Sequence, residues 1–178
     1  VQALWDPENY TSSLGSYTVQ LRDNSEGIGT VLAEIYDATP GGEIVERTPR
    51  LVNLSARANV AAPSGILIAG FVIGGTTPAT VLLRAVGPAL EAFGVTGVVA
   101  DPRLQLYRGT TLLSESDDWD GEPQIAALGS SVGAFPLPAG GSKESVMLVT
   151  LPPGTYTAQV TDKDDLGGVA LIEVYEVR

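Results

Sequence analysis

Residues 156–176 read YTAQVTDKDDLGGVALIEVYE, and the same pattern stands 139 positions earlier as YTVQLRDNSEGIGTVLAEIYD over residues 17–37. The two align without a gap, and eight of the 21 positions are identical: Tyr, Thr, Gln, Asp, Gly, Leu, Glu and Tyr. Unrelated segments of ordinary composition would share about one or two. Leu21 against Val160 and Ile35 against Val174 are near-swaps.

In the later copy, Tyr156, Ala158 and Val160 alternate with Thr157 and Gln159, the period of a half-buried strand. Asp162 to Gly168 supplies turn residues and two glycines that tolerate positive φ. Ala170, Ile172 and Val174 then share one face of a return strand, with Leu171, Glu173 and Tyr175 on the other. Each copy is therefore expected to be a β-hairpin.

The later copy ends the sequence, while the earlier one stands near its start. An isolated hairpin is marginal in water and its edges seek partners. Three outcomes are open. The chain is a segment of a longer tandem array, or identical chains join head to tail, or the first copy docks on its own body. For the first two, the contacting residues are expected to be Tyr17, Val19, Leu21, Val31, Ala33 and Ile35. The partners are then copies of the chain itself or adjacent tandem modules.

The 178 residues suit one substantial domain with an appendage. With 21 Gly and 12 Pro, and no long 3.6-residue apolar period, the fold class is all-β. Trp5 is a candidate anchor in the polar N-terminal segment. The connector Ala38 to Pro49 (ATPGGEIVERTP) breaks regular structure, which divides the chain into 1–46 and 47–178. About eight strands are expected in the body, giving a β-sandwich, jelly-roll-like or immunoglobulin-like, with an additional N-terminal β-hairpin. The run Ile66 to Ile73 (ILIAGFVI) reads as a strand buried on both sides, and is far short of the ~20 residues of a membrane span. Gly87 to Gly94 and Pro123 to Leu128 read as brief helical turns. Arg84, inside the apolar strand TVLLRAV, requires a carboxylate or backbone carbonyl partner, with Asp101 or a loop acid as candidates.

There are no cysteines and no histidines, so Cys/His zinc sites, thiol nucleophiles and imidazole acid–base catalysis are excluded. The net charge of −11 repels phosphate backbones and anionic membrane surfaces, which argues against nucleic-acid partners. Asp117, Asp118, Asp120 and Glu122 (DDWDGE) place four hard oxygen donors within six residues, a candidate calcium site. The plainer reading is a solvated acidic loop with Trp119 tucked under the sandwich. Asp162, Asp164 and Asp165 form a second acidic turn. Gly129 to Gly133 (GSSVG) matches the G-x-S-x-G nucleophile elbow, but no histidine base accompanies it. Ser142-Lys143 beside two glycines imitates a Ser–Lys dyad. Trp5, Tyr10, Tyr107 and Trp119 are the aromatic candidates for a glycan-binding face.

In order along the chain, RLVNLSARA (50–58), GFVIGG (70–75), VLLRAVGPAL (81–90), ADPRLQLY (100–107), DDW (117–119) and PPGTYTAQV…GVALIEVYE resemble a repeat module of large secreted bacterial surface proteins. The likeness covers nearly all of residues 47–178. It implies an extracellular or cell-surface location and tandem repetition, and no chemistry. The PPGTYTAQV stretch alone is also similar to the end of pre-peptidase C-terminal domains of secreted enzymes. Two functions are thus expected: a structural subunit of a fibre, surface layer or adhesin, or a calcium-supported carbohydrate-binding or accessory module of a secreted enzyme.

Overall fold

The computed structural model describes residues 15–22, 24, 29–36 and 50–178. The chain divides into two units, Val1–Leu51 and Val52–Arg178. All the strands assigned among the described residues lie in the second.

That unit contains β1 (Asn53–Val60), β2 (Leu67–Ile73), β3 (Ala79–Val86), β4 (Pro102–Arg108), β5 (Thr111–Ser116), α1 (Pro123–Ser131), β6 (Ser145–Leu151), β7 (Gly154–Asp162) and β8 (Gly168–Val177). A 3-10 turn, Pro88–Phe93, follows β3. Two four-stranded sheets form, ordered β1-β8-β3-β6 and β2-β7-β4-β5. The pairs β1–β8, β2–β7, β3–β6 and β4–β5 are all antiparallel. This second unit is thus one long eight-strand hairpin rolled into two layers, the jelly-roll arrangement.

Strand composition explains the layers. Every second residue of β7 is buried, and Tyr156, Ala158 and Val160 enter the core between the sheets. Leu83, Leu104, Leu106, Ala170 and Ile172 meet them there, all fully buried. In β3 and β8 the outward residues are covered too, because Leu82 and Tyr175 pack with Ile125 of α1 and with Val132 and Ala134 just after it. Those two strands therefore read as continuous apolar runs rather than alternating ones.

Two expectations are corrected here. The second copy is not a hairpin: β7 lies between β2 and β4 in one sheet, and β8 lies between β1 and β3 in the other. Its turn crosses the sandwich as an arch. Asp162 holds that turn, its carboxylate accepting from the backbone N–H of Leu166 at 2.7 Å and Gly167 at 2.8 Å. The run ending at Ile73 is also not doubly buried. β2 is an edge strand whose Ile68 and Val72 are exposed, with Ile66 exposed just before it.

Candidate functional site

The duplicated stretch supplies the first candidate. In the body, Tyr156, Ala158, Val160, Ala170, Ile172 and Val174 are each 7% exposed or less. Their counterparts in the first copy have the opposite environment. Tyr17, Val19, Val31 and Ile35 are between 55 and 67% exposed, Ala33 is exposed, and Leu21 is half-buried. Residues 15–22 and 29–36 carry no assigned strand, so the N-terminal hairpin expected from the pattern does not form a ladder among the described residues. One local contact is shared by both copies. The Tyr36 hydroxyl donates to Glu34 Oε1 at 2.8 Å, as Tyr175 donates to Glu173 Oε1 at 2.7 Å. Both contacts join positions two apart, as on one face of an extended chain. Trp5, Tyr10, Asp23 and the connector 38–49 lie outside the described residues.

The body has four edge strands, β1 and β6 in one sheet and β2 and β5 in the other. β1 touches β2 on one side of the sandwich, and β5 touches β6 on the opposite side. On the β1/β2 side the core-facing residues Leu54, Ala56, Leu67, Phe71 and Ile73 pack on the core but remain only partly buried. Phe71 stacks on Tyr156 with ring centroids 5.7 Å apart. Outward from this edge, Val72 is 69% exposed. An apolar edge strand left in water invites pairing with another chain.

The acidic loop is the second candidate. A carboxylate oxygen from each of Asp101, Asp117 and Asp118 lies within 4.8 Å of the others, and Asp101 is buried. Asp120 and Glu122, expected in the same site, do not join this group. Two lysines that sequence reasoning missed belong to it instead. Lys143 Nζ sits 2.9 Å from Asp118 Oδ1 and 3.3 Å from Asp101 Oδ2, while Lys163 Nζ pairs with Asp117 and reaches Asp101 at 4.0 Å. The Asp118 hydrogen bond lifts the Lys143 pKa above its ordinary value, and Asp117 does the same for Lys163. Three carboxylates facing two ammonium groups leave one excess negative charge, so the lysines already supply most of what a divalent cation would neutralise. No local signal marked them, since each comes from a strand connection far from the DDWDGE stretch.

The remaining candidates are structural. Ser130 and Ser131 end α1, and their hydroxyls donate to the carbonyls of Ala126 and Leu128. The segment is a helix end rather than a strand–turn–helix elbow. Ser142 Oγ accepts from the Glu144 N–H at 3.3 Å, and the neighbouring Lys143 is engaged by the two aspartates. Trp119 is buried and Tyr107 half-buried, so these two present no shared aromatic platform for a sugar ring.

Arg84, 3% exposed, has both a carboxylate and a backbone carbonyl as partners, as expected, but the carboxylate is Glu173 of a strand rather than Asp101 or a loop acid. Its Nε lies 3.0 Å from Glu173 Oε2 across the β3–β8 ladder, where the two residues are register partners. That contact is an ion pair without the alignment of a hydrogen bond. Nη1 donates to the Phe135 carbonyl at 2.7 Å, and the guanidinium lies 4.4 Å from the Phe135 ring centroid.

No protein-family model matches the chain, and no curated protein matches it. Among solved structures, the pre-peptidase C-terminal domain of a collagenase from Bacillus anthracis is similar, at 9% identity and a TM-score of 0.44. The match covers 69% of this chain and 89% of that one.

Proposed function

We propose that this chain is a non-enzymatic structural module of an extracellular or cell-surface bacterial fibre, layer or adhesin. It joins head to tail, by strand complementation, with copies of itself or with adjacent tandem modules. The observation that carries this reading is the contrast between the two copies: the same apolar pattern is buried at the centre of both sheets at one end of the sequence and exposed at the other. Main-chain hydrogen bonds along a sheet edge supply affinity in such contacts, and alternate side chains set the register. Donor and acceptor surfaces differ, so the contact is heterologous; it closes into a ring if the rotation between neighbours closes, and extends into an open chain if it does not.

The extracellular setting is drawn from the repeat-module resemblance of residues 47–178. Net charge −11 favours solubility and disfavours nucleic-acid partners. Among the described residues no helix is long and apolar enough to cross a membrane. Covalent tandem modules and a non-covalent polymer would use the same junction.

Light scattering across a concentration series, followed by negative-stain microscopy, tests the proposal. Linear species that lengthen with concentration are expected. A chain that stays monomeric at every concentration would sink it.

A further inference from the structure

Resting on the assembly reading above, we infer that the receiving surface is the open side formed by β1 and β2, and that its occupant is the first copy, residues 17–37, of a second chain. The strand pairings carry the assignment. The first half of that copy is the sequence counterpart of β7, which pairs with β2 and β4; the second half is the counterpart of β8, which pairs with β1 and β3. β3 and β4 are flanked on both sides and have no edge left. Among the described residues, β1 and β2 each pair with a strand on one edge only, and their open edges lie on the same side of the sandwich.

Direction agrees as well. β7 runs antiparallel to β2, and β8 antiparallel to β1. A second arch set outside β1 and β2 in the same orientation keeps both relations and extends each sheet from four strands to five. Alternation then turns Tyr17, Val19, Leu21, Val31, Ala33 and Ile35 inward between the lengthened sheets. They cover Leu54, Phe71 and Ile73, the core residues left partly open on that side. The slots that the β7-like and β8-like strands fill in a complete sandwich are already taken by the chain's own second copy, so addition at the edge requires no displacement.

The absence of native cysteine makes the test specific. A full-length chain carrying Leu32→Cys is mixed with a differently tagged chain carrying Arg57→Cys on β1 and joined with a short bismaleimide; Leu32 is the counterpart of Leu171, the register partner of Arg57, and both positions face outward. Acceptors on the far side, Leu112→Cys on β5 and Leu148→Cys on β6, serve as comparisons. Arg57→Cys is expected to give roughly tenfold more mixed product than either, the gain from holding two thiols at high effective concentration. Separately, Val19→Asp with Ile35→Asp is expected to abolish the mixed product while leaving the melting curve of the body in place. Equal or preferred capture by β5 or β6 overturns the surface assignment, as does coupling only within a single Leu32→Cys/Arg57→Cys chain. Oligomers by light scattering without Arg57→Cys capture also overturn it but leave the assembly reading standing. Monomers alone defeat both.

Discussion

Arg84 shows how far a single residue can be read. Its position in TVLLRAV announces a buried charge that needs an answer, but the answer comes from Glu173, distant in sequence and adjacent only once β3 and β8 pair. At 3 and 4% exposure the two ions are largely removed from water. Glu173→Ala is therefore expected to cost about 3–5 kcal/mol in urea denaturation, because it strands the guanidinium. Arg84→Met with Glu173→Leu should cost much less than the sum of the single changes, and additivity would show that the charges do not interact. Glu144 carries a pH signature. Burial lifts its carboxyl above the usual carboxylate range, against the pull of the Gly87 and Ala89 N–H groups and of Arg84. A carboxyl raised in the folded state binds its proton more tightly there than in the unfolded chain. Its contribution is full below the unfolded value and is lost as pH rises through the folded one. Relative to Glu144→Gln, the native chain should gain stability as pH is lowered from neutral through that window. A pH-independent difference between the two unfolding free energies would contradict the assignment.

At the scale of elements, strand positions were legible and their partners were not. Period-2 alternation in YTAQV and VALIEV marks two strands whether they form a ladder with each other or face each other across a core, so the arch passed for a hairpin. Long-range pairing decides between them, and the sequence carries no local trace of it. The same gap made ILIAGFVI look central when it is an edge. The positions identical between the copies do make sense in the arch. Asp162 caps the turn, and Gly168, at φ +141°, brings its backbone against Val98, where a Cβ would stand 2.6 Å from the Val98 carbonyl carbon. Gly168→Ala should cost about 2 kcal/mol or more, and Asp162→Ala about 1–3 kcal/mol from the stranded N–H groups. Both would appear as lower denaturation midpoints, and a neutral Gly168→Ala would mean that the close approach relaxes freely. The acidic loop was legible only in part. Asp117 and Asp118 stood out, while Asp101, Lys143 and Lys163 joined through the fold. Native protein should melt at the same temperature in calcium and in chelator. Lys143→Met with Lys163→Met, which leaves three unanswered carboxylates, should melt lower and be raised by calcium. A calcium-dependent melt of the native chain would reverse that view of the loop.

For the whole molecule, the sheet order among the described residues places every strand partner of the second copy inside residues 52–178, and each strand of both four-stranded sheets comes from that unit. A chain lacking residues 1–40 should thus keep a cooperative unfolding transition and the β-rich circular dichroism of the full protein. It would retain the β1/β2 side and lack the exposed apolar copy, an acceptor without a donor. Heterologous growth has a direct consequence for such a molecule: added to full-length protein it receives one neighbour and presents nothing to the next. Mean polymer length by light scattering should fall steadily as its share of the mixture rises, while alone it stays monomeric. An isologous contact, in which each chain gives and receives through the same patch, would instead form closed pairs, and the truncated chain would leave full-length pairs unshortened. If truncated chains polymerise unaided, the contact lies wholly within the sandwich, and the exposed copy has no part in holding neighbours together.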